Sequence, residues 1–277
     1  MFFSKLKVLK SHGIQYIKDL DRVELPEIFR GRPEIRPGLS SRQAEELSTL
    51  CPSGAIGTMP LSIDLGRCIF CGECAARHPE HIRFTNDYRM AAARRQDLVI
   101  REGESGPVPF AAEAVRPEIP RLFGRALKLR EVSVGGDASC EMELNATGNV
   151  NFDFGRFGVD FVASPRHADG LVITGPITEN MAVPLEICYH AVPDPKIVVL
   201  AGTEAVSGGL YAESPALDRS FLQRHPADLY LPGNPVHPMT FIQGILSLLR
   251  AGSERESGEA VGEETPVETD GTEEAGV

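Results

Sequence analysis

No stretch of this 277-residue chain reaches the roughly 18 consecutive apolar residues that a bilayer-spanning helix needs. The strongest runs, around Leu171–Thr174 and Ile197–Ala201, are strand-length. The start, MFFSKLKVLKSHGIQYIKDL, has neither the uninterrupted apolar core nor the small-residue cleavage site of a secretory signal. These absences predict a cytoplasmic protein with no transmembrane segment of its own. The glycine-rich stretch Gly202–Gly209 contains no Walker lysine and no G-x-G-x-x-G, so a phosphate cradle is not supported. No Ser-His-Asp triad or paired carboxylates stand out; the expectation is a chain without catalytic residues, with catalysis in a partner. No nucleic-acid partner is expected. Cysteine is scarce, with six residues, and nothing suggests the small secreted chain that a disulfide framework requires.

What cysteine there is has a pattern. Cys68, Cys71 and Cys74 stand at strict C-x2-C-x2-C spacing and are followed by His78-Pro79. This is the bacterial ferredoxin arrangement C-x2-C-x2-C-x3-C-P with histidine in place of the last cysteine. A complete thiolate set then needs a Cys-Pro elsewhere, and Cys51-Pro52 supplies it. Counting back from Cys51 by the same spacing reaches Ser41, Ala44 and Leu47, none of them a thiolate. In a two-cluster ferredoxin the positions of Ser41, Ala44, Leu47 and His78 serve one cluster, and those of Cys51, Cys68, Cys71 and Cys74 the other. One ligand set is lost whole and the other kept whole, which predicts one [4Fe–4S] cluster on Cys51, Cys68, Cys71 and Cys74. Structural zinc is the competing reading, although zinc sites usually come as two C-x2-C knuckles separated by a long gap.

Composition divides the chain. The net charge is −11, yet Ala251–Val277 alone carries eight Glu, one Asp and one Arg and no aromatic residue. Such a segment cannot bury enough apolar surface to offset its ordering entropy, so 251–277 is expected to be a disordered acidic tail. Residues 1–40 form an arm, with a helix expected from about Ser4 to Leu20. Its lysines, set among apolar residues at helical spacing, suit a face on its own protein, a membrane surface or a partner subunit. Residues 41–100 are expected to form an α+β ferredoxin-like domain, with a helix over 41–50, a strand at Leu61–Asp64 and, after Ile82–Thr85, a helix over DYRMAAARRQDLVI. The prolines and glycines of 101–127 suggest a linker.

From 128 to 250 short apolar runs, EVSVGG, GVDFVAS, GLVITG, KIVVLAG and DLYLPG, alternate with helical stretches such as MAVPLEICYHAV. That alternation predicts an α/β, flavodoxin-like domain with a mostly parallel sheet. Ligands in this architecture sit beyond the carboxyl ends of the strands, which singles out the loops Gly135–Cys140, Ala163–Asp169, Gly202–Gly209 and Pro232–Pro238.

In order, SVGGDASCEMEL, FGVDFVASPRHADGLVITGPITENM, PDPKIVVLAGTEAVSGGLY and DLYLPGNPVHP resemble the small, cluster-bearing subunit of energy-converting [NiFe] hydrogenases, which is also the 20-kDa subunit of complex I. The front of the chain, from VELPEIFRGRPEI through DYRMAAARR, is similar to the two-cluster ferredoxin subunit of the same complexes. The chain thus resembles a fusion of two neighbouring electron-transfer subunits. The resemblance implies a large subunit and membrane subunits as partners, and a peripheral place at the inner face of a membrane. It also implies a second [4Fe–4S] site whose four ligand positions fall on Asp137, Cys140, Glu204 and Asn234. Only Cys140 is a thiolate; sulfide-bridged clusters favour soft ligands, so this second cluster is expected to be absent. A hard-metal site on Asp137, Glu204 and Asn234 stays open as an alternative. Arg156, Arg166 and His167 fall where the family faces its large subunit, and Cys188 reads as a buried thiol in an apolar helix. The expected function is an iron–sulfur electron-transfer subunit. The alternatives are a structural or regulatory docking subunit and a free-standing carrier.

Overall fold

The protein is described by a computed structural model covering residues 2–259. Helix α1 spans Phe2–His12 and stops where Gly13 takes φ of +63°, short of the expected end at Leu20. Strand β1 (Pro33–Ile35) pairs antiparallel with β4 (Ile82–Phe84). Between them lie α2 (Ser41–Leu50), β2 (Ile56–Thr58), β3 (Leu61–Asp64) and the short α3 (Glu73–Arg77). Ser40 caps α2 in a reciprocal capping box with Gln43, the local reason this helix starts where the sequence suggests. Strands β2 and β3 join β5 (Val99–Arg101) in a three-stranded antiparallel sheet.

The helix expected over DYRMAAARRQDLVI does not form. Met90, Ala91, Ala92 and Ala93 are all buried in succession, which no single helix face allows. Around Ala92 the chain instead pairs as a strand, exchanging main-chain hydrogen bonds with Tyr230 at 2.9 and 3.0 Å, and only Arg95–Leu98 coils, as a single 3-10 turn. Local helix propensity loses here to pairing with another strand. The expected linker is also structured: α4 (Glu118–Phe123) buries Ile119 and Phe123 and lies against the C-terminal helix α9 (Pro238–Glu259). Helix α9 continues through Ala251–Glu259, into the segment expected to be a disordered tail; residues 260–277 lie outside the described residues.

The second half is built on β6 (Leu127–Ser133), α5 (Ser139–Ala146), β7 (Val159–Phe161), β8 (Gly170–Thr174), α6 (Glu179–Ala191), β9 (Ile197–Ala201), α7 (Thr203–Ser207), α8 (Phe221–Arg224) and β10 (Leu229–Leu231). Sheet order is β7-β6-β8-β9-β10 with every pairing parallel. Numbered along the chain this is 2-1-3-4-5, the flavodoxin-like order, with its switch point between β6 and β8. Strands β8 and β9 are buried at every position, as parallel strands covered on both faces must be.

One apolar core runs through both halves. It joins Leu47, Ile63 and Leu98 of the first to Ile173, Leu200 and Phe221 of the second. A second core beneath the other sheet face gathers Leu129, Val199, Leu231 and the α9 residues Phe241 and Ile245. No helix among the described residues is long and apolar enough to cross a membrane.

Candidate functional site

Four thiols line one small cavity: Cys51, Cys68, Cys71 and Cys74. Cys51 is the C-cap of α2, its N–H donating to Leu47 at 3.0 Å, and Pro52 prevents the helix from continuing. The chain then turns back so that the Ala55 N–H donates to Cys51 Sγ at 3.3 Å. The other three sit on the loop after β3. Asp64 anchors that loop: its carboxylate accepts from the Gly66 N–H at 2.9 Å and takes a bidentate pair from Arg95 at 2.8 and 2.7 Å. Phe70 is held at φ of +55°, and its N–H donates to Cys68 Sγ at 3.3 Å. Gly72 follows at φ of +85°, where a side chain would meet Arg30 Nε at 3.0 Å. Arg30 in turn donates to the Phe70 carbonyl at 3.2 Å. The loop is thus held by hydrogen bonds that aim sulfur inward.

Burial is graded. Cys68 is buried, Cys51 and Cys74 are half-buried and Cys71 is exposed. Burial pushes the Cys68 thiol up to about 12 and the Cys74 thiol up to about 11, and the neighbouring thiols add to both. The positions that the motif spacing assigns to the other ligand set, Ser41, Ala44, Leu47 and His78, differ in character. Ala44 and Leu47 are core residues, Ser41 is exposed, and His78 is buried at the C-cap of α3 with Nε2 lacking a hydrogen-bond partner.

The thiol cavity abuts the carboxyl ends of the parallel strands. Thr203 Oγ1, first residue of α7, donates to the Cys68 carbonyl at 2.8 Å. Cys71 shares a second cavity with Asn234 and His237 on the loop after β10. At the switch point the loops after β6, β8 and β9 converge. Gly136 lies so close to Gly175 and Glu204 that a Cβ would sit 3.0 Å from Gly175 Cα and 3.1 Å from Glu204 Oε2. Gly202, at φ of +94°, leaves room for Cys140, whose Sγ would lie 2.5 Å from any side chain there.

The residues at this second place are mainly oxygen donors. Asp137 accepts from the Ser139 N–H and hydroxyl at 2.9 and 2.6 Å, which holds its carboxyl below the usual range. Burial, then Asp137 and Glu141, raise Glu204. Cys140 is buried and pushed up to about 12 by that burial. Asn234 is exposed and turned toward the Cys71 cavity. Glu141, which accepts from the Thr174 hydroxyl at 2.7 Å, was not singled out by sequence; neither were Thr203 or Arg30. The acid following Ser139-Cys140 was the available signal for Glu141, whereas Thr203 and Arg30 carry no spacing signature. Arg156 does not face outward freely: it stacks over Tyr16 and Phe157 at 4.7 and 4.6 Å and donates to the Ile17 carbonyl, tying down the N-terminal arm. Arg166 and His167 are exposed, and Cys188 is half-buried rather than enclosed.

A parallel sheet of flavodoxin-like order with loops converging at its switch point defines the class of the second half. The chain belongs to the family described as NADH ubiquinone oxidoreductase, 20 Kd subunit, which matches residues 138–248. Among its relatives is the probable membrane-bound hydrogenase subunit mbhJ of Pyrococcus furiosus, 33% identical over 53% of this chain and 88% of that protein. An NADH-quinone oxidoreductase subunit of Geotalea daltonii is 38% identical over 46% of this chain and 75% of its own length. Among solved structures, a chain of the membrane-bound sulfane sulfur reductase, described as an archaeal respiratory membrane complex, aligns over 50% of this chain and 77% of its own. Its TM-score is 0.42 at 24% identity.

Proposed function

We propose that this chain is an iron–sulfur electron-transfer subunit of a hydrogenase-like or complex-I-like assembly, holding one [4Fe–4S] cluster on Cys51, Cys68, Cys71 and Cys74. The observation that carries the reading is the thiol cavity: four sulfurs face one space with main-chain N–H donors on two of them. Four soft sulfur donors around one small cavity, with main-chain N–H groups directed at two of them, are the donor set an iron–sulfur group takes. When bound, such a cluster accepts and releases single electrons. The protein supplies ligands, N–H donors that stabilise negative charge on sulfur, and burial. In this reading residues 41–100 are the ferredoxin-like unit and 128–250 the 20-kDa-like unit.

The carboxylates of Asp137, Glu141 and Glu204 around Cys140 do not fit a second sulfide-bridged cluster. The cluster on Cys51, Cys68, Cys71 and Cys74 is then the chain's one redox centre. Partners are a large subunit and membrane subunits, with the chain peripheral at the inner face of the membrane. Exposed Met142, Leu210 and Tyr211, on α5 and the turn after α7, flank the Cys140 and Glu204 loops and support an obligate partner over a free-standing carrier.

Anaerobic purification with iron and sulfide quantitation, followed by electron paramagnetic resonance of the reduced protein, tests this. About four irons per chain are expected. About eight would overturn the loss of the second cluster, and zinc instead of iron would overturn electron transfer. Cys71→Ser should abolish the signal, whereas Cys140→Ser should leave it.

A further inference from the structure

Outside the four-thiol cavity, the geometry points to a second metal site of another kind: a divalent first-row transition ion, zinc-like in preference, held by Glu186, His190 and His225. Glu186 and His190 stand four residues apart on α6 and therefore project from one face of the helix. His225 arrives from the C-cap of α8. The three side chains offer ligand atoms that all lie within 4.8 Å of one another. His225 Nε2 is 2.9 Å and His190 Nε2 3.7 Å from the same oxygen, Glu186 Oε1. Tetrahedral bonds of 2.0–2.1 Å set ligand atoms about 3.3 Å apart, and the two separations bracket that value. Two imidazoles and a carboxylate make a borderline donor set that suits zinc or cobalt(II) better than calcium or magnesium.

The ring that matters most is already fixed. His225 lies against Tyr189 with centroids 3.9 Å apart and against Phe221 at 4.7 Å, so little side-chain entropy is left to lose. His190 is exposed and free to close the last gap, which leaves a fourth position open to water. One cation competes. Arg224 Nε is 3.5 Å from Glu186 Oε1 and its Nη2 is 3.5 Å from Oε2. An arrangement built only as an ion pair would weaken without Arg224, whereas a metal site would gain, because its carboxylate loses a rival. An ion here would clamp α6 to the end of α8.

The test uses the full chain and cobalt(II). Cobalt on the four thiols gives intense sulfur-to-metal charge transfer, whereas an ion on two imidazoles and a carboxylate gives only weak visible bands. The expected result is a cobalt equivalent of the second type, weakened about tenfold or more in His225→Ala and in the exposed His190→Ala, and tightened in Arg224→Gln. Anomalous diffraction at the cobalt edge should place that ion between the three side chains. Thiolate-type cobalt alone, or equal affinity in wild type and His190→Ala, would overturn the site.

Discussion

At the scale of single residues, His237 shows how a side chain can be committed to one protonation state. Its ring sits 4.9 Å from Phe29 and 6.4 Å from Phe152, and Nδ1 accepts from the Met239 N–H at 3.1 Å. Burial drops its pKa from 6.5 to about 4. The unfolded chain takes up this proton near pH 6.5 and the folded chain only near 4, so between those values the unfolded state binds more protons and stability falls as pH falls. After discounting for partial exposure the loss is about 1–2 kcal/mol. Urea unfolding at pH 7 and pH 4.5 should show that His237→Gln loses less stability on acidification than wild type by that amount; equal losses would refute the assignment. None of this environment was legible in sequence, because Phe29 and Phe152 approach from distant segments. That the four cysteines gather at one cavity was legible, since C-x2-C-x2-C spacing on a short loop is a local constraint and Cys51-Pro52 is the Cys-Pro that the motif lacks. Their link to the parallel sheet through Thr203 was not, since no spacing rule spans the 135 residues from Cys68.

At the scale of elements, the outcome turned on whether a segment answers to itself or to a neighbour. The runs at β8 and β9 were readable because two-sided burial writes continuous apolar sequence. Helix α2 was readable because its cap lies within its own sequence. Residues 90–93 were misread as helix because their alanines are small for a different reason: they thread between β10 and α9. Gly244 of α9 marks the contact, since a Cβ there would lie 2.7 Å from Ala91 Cβ. Replacing Ala91 by Leu overfills this gap, and the expected cost is about 1–3 kcal/mol in denaturant unfolding. A change within a few tenths of a kcal/mol would mean the segment can move aside.

At the scale of the whole molecule, strand order and the union of the two halves lay beyond sequence, because both depend on which faces meet. The first core cluster draws on both halves, and Ala92 pairs with Tyr230 across them. The expected linker is bound too, with α4 on α9. Residues 2–259 should therefore unfold as one unit. With no tryptophan in the chain, tyrosine fluorescence and far-ultraviolet circular dichroism are the suitable probes, and their denaturant transitions should coincide. Two separated transitions would show that the halves are independent domains. The shared core also bears on assembly. The thiol pocket and the switch point of the parallel sheet belong to one packed body, so a partner that docks over the switch-point loops meets the thiol pocket at a spacing set by the fold, and dilution does not change that spacing.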